Sequence, residues 1–210
     1  RNPLTAIMAI MEALGGELGQ SNEYDEYLYH MRSQVERLEL LMKNLLTLGR
    51  PVKKSSMKRM TVQTLVDGSV DVWKARRDSI PSLRVRIDPT VATKTMLVDC
   101  GTMQQVIVNL LDNAGEHATT NDDIELYAES AGKRKVRIRV VDTGAGIPPE
   151  NYSRVFEPFY TTRKAGTGLG LSIVQHIVTC HGGTTKLYNN EQGPGLTAEV
   201  CLPLTGQNSA

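Results

Sequence analysis

Three short stretches of the 210-residue chain put polar side chains and glycines where a packed core has no use for them. In "NLLDNA", Asn109 and Asn113 are four residues apart and share one helical face. Stacked amides can give a carbonyl oxygen to Mg²⁺ while triphosphate oxygens and water complete its octahedron. Two solvated asparagines would show the same spacing. In "VVDTGAGIPPE", Asp142 ends a strand-like run and precedes Gly144 and Gly146. A carboxylate fixed there can accept from the exocyclic amine of adenine, whereas guanine presents an acceptor at that edge and is repelled. The glycines permit close approach or a positive φ, although Asp-x-Gly-x-Gly is also common in ordinary turns. In "KAGTGLGLSIV", Gly166, Gly168 and Gly170 lead into a helix behind Arg163 and Lys164. Such a helix start turns backbone N–H groups and the positive end of the helix dipole towards phosphate. The segment lacks the Gly-Lys-Ser/Thr ending of a P-loop, and no strand precedes it as in a Rossmann turn. In this order the three stretches compose an ATP site.

The elements that position them follow from periodicity. A helix is expected over about 62–78, strands at "LRVRID" and "TMLVD", and a strong helix over "MQQVIVNLLDNAGEHA". "DIELYAES" and "KVRIRVVD" alternate and flank Ala131-Gly132 as a hairpin; "GLGLSIVQHIVTCHGG" is helical, and "TTKLYNN" and "LTAEVCLPL" close as strands. Helices with mainly antiparallel strands imply an α+β sandwich with one sheet face covered. Residues 1–49 differ. Leu4, Ile7, Met11, Leu14 and Leu18 form one 3-4 stripe, and Tyr24, Leu28, Met31, Val35, Leu38, Met42 and Leu45 another. Gly19 and Ser21 or Asn22 punctuate them, so an antiparallel helical hairpin is expected. Its apolar stripe is too wide for one hairpin to cover, which points to a homodimer through 1–49 as a four-helix bundle; packing on the chain's own second region is the alternative. The expected divisions are 1–50 for the hairpin, 51–59 ("PVKKSSMKR") as linker, 60–204 as the ATP-binding domain and 205–210 as tail.

Composition narrows the class. A net charge of +1 argues against nucleic acid or a membrane surface as main partner, and no apolar run reaches the roughly 20 residues of a membrane span. Three scattered cysteines show neither metal spacing nor a disulfide framework, which suggests the cytoplasm; the absence of an initiator Met suggests a fragment.

The second region resembles the catalytic ATP-binding domain of two-component sensor histidine kinases, related to the ATPases of gyrase and the heat-shock chaperones. "NLLDNA" is similar to the asparagine box, "DTGAGI" to the first glycine box, "FEPFYTTR" to the phenylalanine box and "GTGLGLSIV" to the second glycine box. "GPGLTAEVCLP" resembles the terminal glycine–threonine segment. The resemblance implies ATP and Mg²⁺ as cofactors, with Asn113 as metal ligand and Asn109, Asp142, Gly144 and Gly146 at the nucleotide. It adds Arg163, Lys164, Gly166, Thr167, Gly168, Leu169 and Gly170 around the phosphates, with Thr197 supporting the adenine-reading Asp. Phe156 and Phe159, the only phenylalanines, would anchor a hinged lid. Glu116 stands where many members carry a lysine facing the phosphates, so phosphate charge would rest more on Arg163, Lys164 and the helix start. "RNPL" at Arg1–Leu4 resembles the downstream half of the phosphoacceptor motif. The acceptor histidine would then lie upstream of Arg1, with Asn2 as a residue assisting dephosphorylation. His30, His117, His176 and His181 are expected to be structural or solvated. Members phosphorylate that histidine from ATP and pass the phosphoryl group to an aspartate on a response regulator receiver domain. Detail in "FYTTR…GTGLGLSIVQHIV" is most like the nitrogen-regulation type. A dimeric nucleotide-binding scaffold without kinase activity is the alternative.

Overall fold

The computed structural model describes residues 7, 11, 22–49, 54–76, 82–117, 123–162, 166–191 and 193–205. The chain divides into two compact units, Arg1–Arg50 and Pro51–Ala210. Asn2, the turn residues Gly19 and Ser21, and the cations Arg163 and Lys164 lie outside the described residues.

In the first unit, α1 runs from Asn22 to Gly49 without interruption. Val35 and Asn44 are buried along it, as is Met11 on the preceding segment. Met31, Leu38, Met42 and Leu45 fall at spacings of seven, four and three, and each is about half exposed. A half-exposed apolar stripe at helical period is a surface for further helices.

The second unit begins with β1 (Lys58–Thr61), α2 (Val62–Lys74), β2 (Ser82–Ile87) and the single turn α3 (Pro89–Ala92). It continues through β3 (Thr95–Val98), α4 (Cys100–His117), β4 (Asp123–Ser130) and β5 (Lys135–Val141), and ends with α5 (Gly170–Cys180), β6 (Thr184–Asn189) and β7 (Leu196–Pro203). The stretch expected to be linker, 51–59, thus already carries the start of β1, which pairs antiparallel with β3 from Lys58↔Val98 to Thr61↔Thr95. Five strands form the main sheet in the order β2-β4-β5-β7-β6, with β2 parallel to β4 and the other neighbours antiparallel.

Strand alternation sorts the two faces. Ile124, Leu126, Ala128, Val136, Ile138, Val140, Ala198, Val200 and Leu202 point inward and are buried. α4 and α5 lie over them, and α2 packs against α4. The outward positions pair across strands: Arg139 meets Glu129 at 3.1 Å and lies over the Tyr127 ring at 5.1 Å, while Arg137 meets Glu199 at 3.3 Å. Pairs this exposed add little stability; they keep the open face polar.

Caps fix where α4 begins. Asp99 accepts from the Thr102 N–H at 3.0 Å. Burial pushes its carboxyl up, but hydrogen bonds from Ser56 and Thr102 outweigh that and hold its pKa below the ordinary value. A folded-state pKa that is lowered means this cap stabilises above the unfolded value and is lost as pH falls through the folded one. Buried His181, just past α5, accepts from the Asp99 N–H at Nε2 (3.1 Å), and its Nδ1 lies 2.8 Å from the Ile177 carbonyl. With Nδ1 protonated, the neutral ring ties the end of α5 to the start of α4. His181→Phe keeps the bulk and leaves the Asp99 N–H unpaired, so a loss of about 1–3 kcal/mol is expected in urea unfolding at unchanged slope. An unchanged midpoint would show that the tie carries no weight.

Within the described residues, no helix is long and apolar enough to cross a membrane.

Candidate functional site

The site forms where α4, the segment after β5, the start of α5 and the β6–β7 turn meet. Asn113 of α4, Asp142, Gly146, Ile147, Leu171 and Leu196 line one cavity of about 80 Å³. Three motifs far apart in sequence therefore share a wall.

Asp142 follows β5 and is 5% exposed. Its Oδ1 accepts from the backbone N–H of Gly144 at 2.9 Å and of Leu196 at 3.1 Å, and its own N–H donates to the Leu196 carbonyl at 3.0 Å. A buried carboxylate in the cavity wall, oriented by two backbone donors, is a directional acceptor for a ligand's N–H. Gly144 contributes through its N–H. Gly146 has φ +72°, and a Cβ there would come within 2.7 Å of Asn189 Oδ1, so only glycine fits.

On α4, Asn113 is half-buried at the cavity. Asn109, one turn earlier, donates from Nδ2 to the Gly170 carbonyl at 3.4 Å and so links α4 to the first residue of α5. Val106, Ile107, Leu110 and Leu111 fill the core side of the same helix. Glu116, in the last turn, is exposed.

α5 starts at Gly170 with no side-chain cap from Leu169. Its first N–H groups are the orphan donors that an anion satisfies. Leu169, expected at the phosphates, has its side chain fully buried in the core, and its N–H faces Thr167 Oγ1 at 3.4 Å. The Leu169 side chain thus serves packing, and only its backbone faces the approach to the helix. Gly166 and Thr167 are half-buried in the approach to the helix.

Gly168 has φ +67°, and a Cβ there would lie 2.4 Å from the Phe159 carbonyl carbon. Phe159 itself has φ +68° and is 59% exposed. The Phe159 backbone, and not the ring expected to anchor a lid, closes on the second glycine box; buried Val155 anchors that segment.

Sequence reasoning missed Asn189 and Asn190 at the start of the β6–β7 turn. Asn189 clamps Ile147, its Oδ1 accepting from the Ile147 N–H at 2.8 Å and its Nδ2 donating to the Ile147 carbonyl at 3.0 Å. The Asn189 N–H donates to Tyr152 Oη at 3.0 Å. Asn190 Nδ2 donates to the Asp142 carbonyl at 2.8 Å, and the Thr197 hydroxyl donates to Asn190 Oδ1 at 2.7 Å. Thr197 thus reaches Asp142 through Asn190. "YNNEQGPG" carries a signal, two asparagines followed by two glycines, but that composition specifies a turn and not the partners of its side chains.

Of the histidines, His30 stacks edge-on with Tyr29 at 5.9 Å, and His176 Nε2 lies 3.7 Å from Cys180 Sγ. The side chain of His117 falls outside the described residues.

A family model described as histidine kinase-, DNA gyrase B- and HSP90-like ATPase matches residues 99–206, and the His Kinase A (phospho-acceptor) domain matches residues 1–52. The chain is 28% identical over 204 residues to the sensor histidine kinase ZraS of Salmonella typhimurium, covering 97% of this chain and 43% of that protein. It is 28% identical over 213 residues to the signal transduction histidine-protein kinase AtoS of Escherichia coli, covering 100% of this chain and 34% of that protein. The chain therefore spans less than half the length of these relatives. Among solved structures, the catalytic domain of histidine kinase ThkA superposes with a TM-score of 0.62 at 29% identity over 70% of this chain and 95% of that one. Full-length ShkA in complex with AMPPNP shares the fold, with a TM-score of 0.79 at 23% identity over 97% of this chain and 43% of that one. The match over more than half of its length shows that the chain belongs to the histidine kinase-, DNA gyrase B- and HSP90-like ATPase family, here preceded by a match to the His Kinase A (phospho-acceptor) domain.

Proposed function

We propose that the chain is the catalytic core of a protein-histidine kinase that binds ATP·Mg²⁺ and presents its γ-phosphoryl group to a histidine. The observation that carries this is the cavity shared by Asn113, Asp142 and Gly146. At about 80 Å³ it is small beside the roughly 300–1,000 Å³ of a typical ligand pocket. It suits the edge of a base, with Asp142 accepting from the adenine amine. Ribose and phosphates then extend outside it towards the start of α5, where orphan N–H groups meet the negative oxygens.

Mg²⁺ fits the donor set. The described residues hold no group of three or more His, Cys, Asp or Glu side chains that could bind a metal. A neutral amide oxygen of Asn113, with phosphate oxygens and water, is what this hard cation takes at a nucleotide. When bound, it would neutralise phosphate charge. Phosphoryl transfer asks a protein mainly for position and charge compensation. The acceptor's neutral imidazole nitrogen forms the new bond to phosphorus while the bond to the bridging oxygen of ADP breaks.

Residues 1–50 would serve as the dimerisation and phosphotransfer hairpin, 51–59 as connection, 60–204 as the nucleotide domain and 205–210 as tail. The exposed stripe of Met31, Leu38, Met42 and Leu45 supports pairing with a second copy. A response regulator receiver domain would take the phosphoryl group onward in the cytoplasm. We also retain the nitrogen-regulation type as the subclass. The inactive scaffold is not favoured, because the relatives are named as kinases.

The test is label from [γ-³²P]ATP in the whole protein that carries this chain. Acid-labile, base-stable incorporation is expected, as a phosphoramidate requires, and Asn113→Ala should reduce it at least about tenfold. Nucleotide binding without any such label would return the scaffold reading.

A further inference from the structure

We propose that Asn190 is a positioning residue for base recognition, so that the β6–β7 turn helps decide between adenine and guanine. The inference rests on the reading of Asp142 as the acceptor for the adenine amine. Among the hydrogen bonds that hold Asp142, residues 190–196 supply three. These are the Asp142 N–H to the Leu196 carbonyl at 3.0 Å, the Leu196 N–H to Oδ1 at 3.1 Å, and Asn190 Nδ2 to the Asp142 carbonyl at 2.8 Å. Another comes from its own turn, the Gly144 N–H to Oδ1 at 2.9 Å.

Asn190 uses its whole amide. Nδ2 donates to the Asp142 carbonyl and to the Pro194 carbonyl (3.0 Å), while Oδ1 accepts from the Thr197 hydroxyl at 2.7 Å. Its own N–H donates to the Gly195 carbonyl at 3.1 Å, closing the turn. Only an amide supplies two donors and an acceptor at this reach; aspartate would set a carboxylate oxygen against two carbonyls. The Asn190 side chain is engaged with protein groups. It fixes the backbone on which the discriminating carboxylate is mounted. Asn189 does the same for Ile147 on the opposite side of the first glycine box.

Discrimination is sensitive to this because the favourable contact exists for only one base. A carboxylate displaced by a few tenths of an ångström loses the adenine amine, while guanine had nothing there to lose. Calorimetric titration of the chain with ATP and with GTP, each with Mg²⁺, reads the effect. Asn190→Ala is expected to weaken ATP about tenfold and GTP less than about threefold, and Asn190→Asp to do at least as much. A role in folding alone would lower both affinities together and leave their ratio unchanged; that result, or no change in either, overturns the proposal. Should a thermal scan show Asn190→Ala unfolded, Thr197→Val supplies the second arm by removing the donor that fixes the amide. It should cost ATP about threefold and GTP nothing. Equal losses, or none, overturn the proposal there too. Asp142→Asn separates the two levels. If it leaves ATP binding unchanged, the base-pocket reading fails and this inference with it. If it removes the discrimination while Asn190→Ala does not, only the positioning role fails.

Discussion

Asp142→Asn is expected to weaken ATP binding by roughly ten- to a hundredfold while leaving the fold close to intact. The two halves of that result have separate causes. Oδ1 of Asp142 accepts from the backbone at Gly144 and Leu196. An asparagine can keep its carbonyl oxygen in that position and satisfy both donors, so the strand end and the β6–β7 turn stay attached. Its amide nitrogen then takes the other place and sets a donor against the donor of adenine. Losing a charge-assisted hydrogen bond in a buried site costs about 1.5–3 kcal/mol, which is the stated range. Guanine gains what adenine loses, since its carbonyl accepts from an amide. GTP affinity should therefore rise or hold as ATP affinity falls. Calorimetry with both nucleotides and a urea midpoint check this together. Equal affinity for ATP in the variant and the parent would remove Asp142 from the base pocket, and a large fall in the urea midpoint would make its role structural.

Elements whose cause is local were legible in the sequence. α4 could be read because Met103, Val106, Ile107, Leu110, Leu111 and Ala114 repeat at helical spacing, and the same period put Asn109 and Asn113 on the other face. β4 and β5 alternate strictly, and β7 does so from Ala198 onward, because one sheet face is buried and the other is not. β1 was hidden for the converse reason. "KRMT" is short, charged and exposed at its start, the composition of an edge that avoids unwanted pairing, and it reads as linker until β3 appears beside it. Within the site, a side chain that could meet the ligand announces itself by type, as Asp142 and Asn113 do. Asn189, Asn190 and Tyr152 act on backbone groups some 37–48 residues away in sequence, and no local pattern records such a partner. In the second glycine box, Leu169 has its side chain in the core while Leu171 lines the cavity, a division that residue type alone does not announce.

The β6–β7 turn also carries the largest expected effect on stability, and two of its glycines provide an internal comparison. Gly193 and Gly195 both have positive φ, +89° and +113°. A Cβ on Gly193 would meet nothing within 4 Å, whereas one on Gly195 would lie 2.0 Å from the Asp142 carbonyl oxygen and 2.6 Å from Asn190 Nδ2. Gly193→Ala should therefore cost only the backbone penalty, roughly 1–2 kcal/mol. Gly195→Ala adds a clash with a main-chain oxygen that Asn190 Nδ2 holds in place, so relief requires the turn to separate from Asp142. A loss of about 3–4 kcal/mol is expected, near the upper end for a single substitution. Because the atoms driven apart are those that hold Asp142, ATP affinity should fall with it, whereas Gly193→Ala should leave ATP affinity within about twofold. Urea midpoints of the two variants, followed by titration with ATP under conditions where both are folded, give the comparison. If the two alanines cost the same, close approach at Gly195 is not what selects glycine there. If Gly195→Ala destabilises yet binds ATP as the parent does, the turn supports the sheet but does not set the carboxylate.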